Sequence, residues 1–278
     1  MSQNGQARLP TAPIPGRSID AEDFQRVPRP IAAMAKDYPD GWVQPRHSHR
    51  RAQLVYASTG VMTIHTPQGV WTVPPDRALW IPPDIDHQIE MSGAVAMRTL
   101  YVEPEAAAGL PDVCAVVAVS GLLRELILRV VEIPLLYDEG GAGGRIAGLI
   151  FDELSTLPSL PLHLPSPRDA RLQRLCAAVR QRPADSRTLQ AWGREVGASA
   201  RTLARLFRDE TGLTFGRWRA QARLLSALGR LAAGEKVTTV ALDLGYNSPS
   251  AFTALFRRHF GVPPSRYFSG RRPEAGAV

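Results

Sequence analysis

Two groups of residues in this 278-residue chain combine type and spacing in a way that could do chemistry. In the first, Arg201 and Arg205 stand one helical turn apart, just beyond Gly197 and Ser199. The apolar-patterned stretch Leu189 to Val196 leads into Gly197, where a residue without Cβ can take positive φ. Ser199 then suits the N-cap of a second, basic helix. Helix, glycine turn, basic helix is the helix-turn-helix order, whose second helix enters a DNA major groove. Arginine contacts guanine bidentately, so Arg201 and Arg205 are expected on base edges, flanked by Ser199 and Thr202, with Arg208 on phosphate. In the second group, His47-Ser48-His49 is followed by Gln53. Residues two apart on a strand point the same way, so both imidazoles can converge on one interior, and Gln53 shares their parity if the strand runs on unbroken.

The helix-turn-helix order repeats about 48 residues later, as Val237 to Leu244, Gly245 and a helix starting at Ser248-Pro249. Proline is tolerated there because its missing N–H would be unpaired anyway. Ser250, Ala251 and Ala254 face outward, followed by Arg257 and Arg258. Two copies in one chain imply that two successive grooves of double-stranded DNA are read. The first copy offers two arginines and the second a hydroxyl and two methyls. The first is therefore expected to set most sequence specificity. The second is expected to anchor the backbone and touch thymine methyls.

Charge distribution agrees. Residues 1–165 hold 13 basic and 18 acidic residues, and residues 166–278 hold 20 and 8, so a net charge of +7 divides into −5 and +12. A polyanion partner is expected for the C-terminal part only. Lys36 and Lys236 are the only lysines, a bias toward arginine that genomic base composition would also produce. Cys114 and Cys176 are too few for a cysteine-based zinc site and are not expected to pair. No apolar run reaches the roughly 18 residues of a membrane span, and the N-terminus has no signal pattern. The expected compartment is the cytoplasm.

The elements that must position these groups follow from apolar patterning. Residues 1–17 read as a disordered tail. Short runs at 53–57, 61–65, 69–73, 78–81, 88–91 and 96–102, cut by Pro, Gly and Asp, predict an all-β sandwich or barrel over 18–110. Helical spacing of Leu122, Leu123, Leu126, Ile127 and Val130, and of Ile146, Leu149, Ile150 and Leu154, predicts a helical region over 111–157. Its stripes could serve a homodimer or simply cover the barrel. A proline-rich linker over 158–168 precedes an all-α domain over 169–270, then a tail at 271–278.

The text Ser199–Gly212 and Val240–Phe268, with Gly245-Tyr246, Phe256-Arg257-Arg258 and Gly261 to Tyr267, resembles the DNA-binding domain of the AraC/XylS family of bacterial transcription regulators. The resemblance implies seven helices, two helix-turn-helix units, promoter binding and possible contact with RNA polymerase. Residues 45–90 resemble the cupin pattern: His47, His49, Gln53 and Gly60, then Ile81-Pro82-Pro83-Asp84-Ile85-Asp86-His87. Gln53 stands where the pattern has glutamate, and Asp84 where it has glycine. That pattern implies a cofactor site for one divalent transition metal at His47, His49, Gln53 and His87. Three neutral imidazoles suit Zn, Ni, Fe or Cu. A polar pocket for a small-molecule effector, or imidazoles packed without function, are the other readings. Tyr56, Trp71 and Trp80 are expected to line an effector pocket. The leading expectation is a ligand-responsive regulator rather than an enzyme. The rival is a cupin dioxygenase or isomerase fused to a DNA-binding domain.

Overall fold

A computed structural model describes residues 9–156 and 162–267. The chain forms two compact units, one of residues 1–66 and 73–161, the other of residues 67–72 and 162–278. In the first unit, strands β1 (Ile31–Tyr38), β8 (Val95–Val102), β3 (Ala52–Tyr56), β6 (Arg77–Ile81) and β9 (Ala115–Ala118) form an antiparallel sheet in the order β1-β8-β3-β6-β9. A second sheet holds β4 (Val61–Thr66), β7 (His87–Ser92) and β2 (Val43–His47) in that order. Strand alternation gives the first sheet two apolar faces. One carries Ala33, Ala35, Leu54, Tyr56, Trp80 and Leu100, packed under helices α1 (Gly121–Val130) and α2 (Ala142–Thr156) through Leu123, Ile127 and Ile150. The other turns Met34, Lys36, Gln53 and Tyr101 toward the interior.

Register fixes who meets whom. Gln53 lies opposite Tyr101 across β3 and β8, and His47 lies opposite His87 across β2 and β7. The strand carrying His47 does not run on to Gln53. β2 ends at His47, and Gln53 belongs to β3 in the other sheet. A turn through Arg50 and Arg51 makes the change. Arg51 is buried, donates to the carbonyls of Gln25, Val27 and Arg29, and pairs with Glu103.

Residues 9–17 are not a disordered tail: Thr11 exchanges both backbone hydrogen bonds with Asp37 at 2.9 Å, and Arg17 donates to the carbonyls of Glu132 and Ile133. Within the segment 158–168, β10 (His163–Pro165) is extended and pairs with β5 (Gly69–Val73). Residues 157–161 and the tail at 271–278 lie outside the described residues.

The second unit contains α3 (Ala170–Gln181), α4 (Leu189–Val196), α5 (Ala200–Thr211), α6 (Phe215–Ala232), α7 (Val237–Asp243), α8 (Pro249–Phe260) and α9 (Pro264–Tyr267). These are seven helices among the described residues. Leu203 and Phe207 of α5 are fully buried with Trp218 of α6, and Phe252 and Phe256 of α8 occupy the equivalent place in the second motif. Gly197 ends α4 at φ 74°, and the Ser199 side chain accepts the Thr202 N–H to start α5. Ser248 does the same for α8 through Ala251, with Pro249 in the first turn.

Candidate functional site

In the first unit the three imidazoles converge. His47 and His87 ring centroids lie 4.2 Å apart, His47 and His49 4.8 Å, and His49 and His87 5.4 Å. One ligand nitrogen from each lies within 4.8 Å of the others. His47 is held from its Nδ1 by the Pro45 carbonyl at 2.6 Å, and His87 from its Nδ1 by the Ile85 carbonyl at 2.9 Å. A carbonyl can only accept, so each Nδ1 carries a proton, and the neutral form of each ring presents an Nε2 lone pair. His49 is buried, with neither nitrogen partnered among the described residues, and His87 Nε2 is likewise unpartnered. Burial drives the His49 pKa down to about 3, with the His47 and His87 imidazoles adding to the effect. Burial likewise takes His87 down to about 4, opposed by its bond to Ile85. Both are neutral at pH 7 and ready to ligate.

Gln53 lines the same cavity as His47 and His49, a space of about 400 Å³. Its Nε2 donates to Thr99 Oγ1 at 3.0 Å, which leaves Oε1 buried and unpartnered. Asp84, at the position where the cupin pattern has glycine, has φ 61° and is the one non-glycine residue with positive φ among those described. Its N–H donates to the His49 carbonyl at 2.8 Å. This left-handed turn is what glycine would supply without strain. The same turn fastens the His49 segment beside the start of β7.

The three aromatic residues expected in the pocket are not there. Tyr56 and Trp80 belong to the opposite face of their sheet, under α1 and α2. Tyr56 is three residues from the inward Gln53 on β3, and Trp80 is one residue from Ile81, the β6 partner of Gln53, so both point to the other face; Trp80 instead donates to the Pro111 carbonyl at 2.7 Å. Trp71 stacks on His163 at 3.9 Å in the other unit. The cavity's aromatic wall is Tyr38 and Tyr101, joined by Met34 and Met97. Glu22, in a short 3-10 helix at Ala21–Phe24, and Asp20, which caps that helix, also line it. Lys36 reaches from β1 to the Ile19 carbonyl at 3.1 Å. In Ile31–Tyr38 apolar residues fill both faces and each face carries one charged residue, Lys36 on one and Asp37 on the other, so its inward parity carried no signal.

In the second unit, α5 exposes Arg201, Ala204, Arg205, Arg208 and Asp209. All five line a groove of about 760 Å³ beside the first turn of α6. Ser199 and Thr202 are at the same end, with their hydroxyls 2.9 Å apart and Ser199 engaged in the cap. On α8, Ser250, Ala251, Ala254, Arg257 and Arg258 are exposed. Arg219 and Arg223 of α6 turn inward to the chain between α3 and α4: Arg219 donates to Arg187 O at 3.0 Å, and Arg223 to Pro183 O at 2.6 Å. They brace the first motif, and nothing in their spacing distinguishes them from exposed arginines.

Residues 31–143 match a family described as an AraC-like ligand binding domain, and residues 192–270 one described as a helix-turn-helix domain. The HTH-type transcriptional regulator NimR of Escherichia coli is 34% identical over 230 residues, covering 83% of this chain and 84% of that protein. The chain belongs to the AraC-type transcriptional regulators. This AraC-type regulator is also 35% identical over 104 residues to the HTH-type transcriptional activator RhaS of Escherichia fergusonii, covering 37% of each chain. Among solved structures, ToxT from Vibrio cholerae matches at 11% identity with a TM-score of 0.39, covering 88% of this chain and 99% of that one. The regulator thus places a ligand-binding domain of two β-sheets ahead of a helical DNA-binding domain. Among the described residues no helix is long and apolar enough to cross a membrane.

Proposed function

We propose that this regulator is a non-catalytic, homodimeric cytoplasmic protein whose barrel ligand is a divalent transition metal, and that α5 supplies most of its promoter selectivity. One observation carries the metal reading. The imidazoles of His47, His49 and His87 converge, the His49 nitrogens and His87 Nε2 are buried without a partner among the described residues, and the buried, unpartnered Gln53 oxygen belongs to a residue that lines the same cavity as His47 and His49. Buried polar groups without partners are costly, and an electron-pair acceptor relieves all of them together. The donor set, three imidazoles and a neutral amide oxygen, fits Zn, Ni, Fe or Cu better than Ca or Mg. His47 at the end of β2, His49 in the turn between β2 and β3 and His87 at the start of β7 would hold such an ion, which would supply a Lewis-acid centre.

Catalysis is not part of this reading, because the carboxylates near His87 in sequence are otherwise placed. Glu90 pairs with His65 at 3.1 Å and Asp86 is exposed. The cytoplasm fits a DNA partner and two free, buried cysteines. A ligand changes DNA binding only if it favours one arrangement of the protein over another. The test is therefore metal content of the purified full chain, followed by titration of chelator-treated protein while DNA affinity is measured. One ion per chain and an altered affinity are expected. A metal-free chain that takes up no ion on titration would overturn the metal reading and leave a small molecule as the effector.

A further inference from the structure

We infer that Asp209 is a positioning residue for base recognition, holding the Arg205 guanidinium so that it presents a donor pair to guanine. The inference rests on α5 being the base-reading helix. Asp209 lies one turn beyond Arg205, and its Oδ2 accepts from Arg205 NH1 at 3.1 Å. Both side chains are exposed, at 67% for Arg205 and 54% for Asp209. An exposed pair at this spacing adds little to helix stability, so stability does not account for it. Neither Arg201 nor Arg208 has a side-chain partner among the described residues, although both line the same groove. Arg205 is thus singled out among three arginines on one face.

Placing the carboxylate here carries an electrostatic cost. The face approaches a polyphosphate, and an anion on it is repelled. The compensation lies in what the pairing does to a long side chain with many rotamers. An unheld guanidinium can settle on the nearest phosphate, which carries no sequence information. With NH1 engaged by Asp209, the edge formed by Nε and NH2 keeps its two hydrogens. That edge matches guanine O6 and N7. While it stays paired with Asp209, the guanidinium cannot settle on a phosphate without bringing the carboxylate close to the backbone charge.

The consequence is a split that no general loss of charge or fold would give. The full-length chain would be used to select its preferred duplex from a random library. Affinities would then be measured for that duplex, for its single-base variants and for random duplex at one fixed salt concentration. In Arg205→Ala, preference for guanine at one position should fall about tenfold or more. In Asp209→Ala, that same preference should fall roughly threefold to tenfold, while affinity for random duplex rises because one anion is gone. Asp209→Glu should retain most of the preference, and unchanged thermal melts would show that all variants fold. If Arg205→Ala loses preference but Asp209→Ala does not, or if Asp209→Ala weakens selected and random duplex alike, the inference about Asp209 fails. If Arg205→Ala changes no base preference, base reading through this arginine fails first.

Discussion

His47 at the end of β2 and His87 at the start of β7 face each other in register, with ring centroids 4.2 Å apart. Each ring is pinned from behind by a backbone carbonyl two residues earlier in its own chain segment. The pinning sets both lone pairs toward a shared space, and two acceptors cannot satisfy one another. Gln53→Glu tests what belongs between them. An anionic oxygen adds the charge that the neutral amide lacks, so metal affinity should tighten about tenfold, equivalent to about 1.4 kcal/mol. In the metal-free protein the same change buries an unpaired carboxylate and should lower the melting temperature. A larger metal-induced thermal shift than in the unsubstituted chain is the expected result. His87→Ala should abolish the shift.

On the DNA side, Arg201→Ala and Arg205→Ala should each reduce discrimination between preferred and random duplex by about 1–3 kcal/mol. Arg208→Ala should instead weaken both about equally and lower the salt slope by about one. Substitutions of Ser250 should have smaller effects on preference than those at Arg201 or Arg205, because α8 offers only one hydroxyl and two methyls beside its arginines. Competition binding at several salt concentrations separates these outcomes.

What the sequence disclosed, and what it did not, follows from the range of the interactions involved. The helix-turn-helix units are legible because their determinants are local. Gly197, Ser199, Gly245, Ser248 and Pro249 set turns and caps within a few residues, and α4 occupies the segment expected for it, Leu189–Val196. The barrel strands over 52–102 are legible for the same reason. The imidazoles were marked by type and spacing, yet the route by which they meet is non-local: a break after His47 and a strand change before Gln53. Pocket lining is less legible still. Tyr56 and Trp80 are strand aromatics like any others until helices α1 and α2 cover their face, which makes that face core rather than cavity. Lys36 and Met34 lie in a run whose two sides are equally apolar in sequence.

A homodimer, if formed through α2, has a register that can be tested by charge. Gly148, Leu149, Arg145 and Asp152 lie on the exposed side of α2. In an antiparallel pair with its two-fold axis between Gly148 and Leu149, each Arg145 falls opposite Asp152 of the partner subunit. A two-fold interface repeats the contact twice. Arg145→Asp alone and Asp152→Arg alone should each place like charges together and weaken the dimer about tenfold or more. The double substitution should restore it. Sedimentation equilibrium checks this, and a double variant as weak as the singles would exclude the register.

Asp169 marks where the second unit's first helix begins. Asp169 Oδ1 accepts the N–H of Arg171 at 2.9 Å and of Leu172 at 3.3 Å, while the Arg171 guanidinium reaches its carboxylate at 2.7 Å. The Arg171 side chain is the main cause, with the two amides contributing, of a carboxyl pKa lowered to about 2. The folded pKa lies below the unfolded value of about 3.9. The stabilisation is therefore complete above that unfolded value and is lost as pH falls toward 2. Asp169→Ala should cost about 1 kcal/mol near neutrality, the usual worth of an N-cap, and the difference from the unsubstituted chain should shrink between pH 4 and pH 2, roughly the window that these pKa values set. Hydrogen-exchange protection of the first-turn amides of α3, compared between the two proteins at each pH, reads this locally. Equal loss of protection at all pH values would mean that the carboxylate acts by shape alone and not by charge.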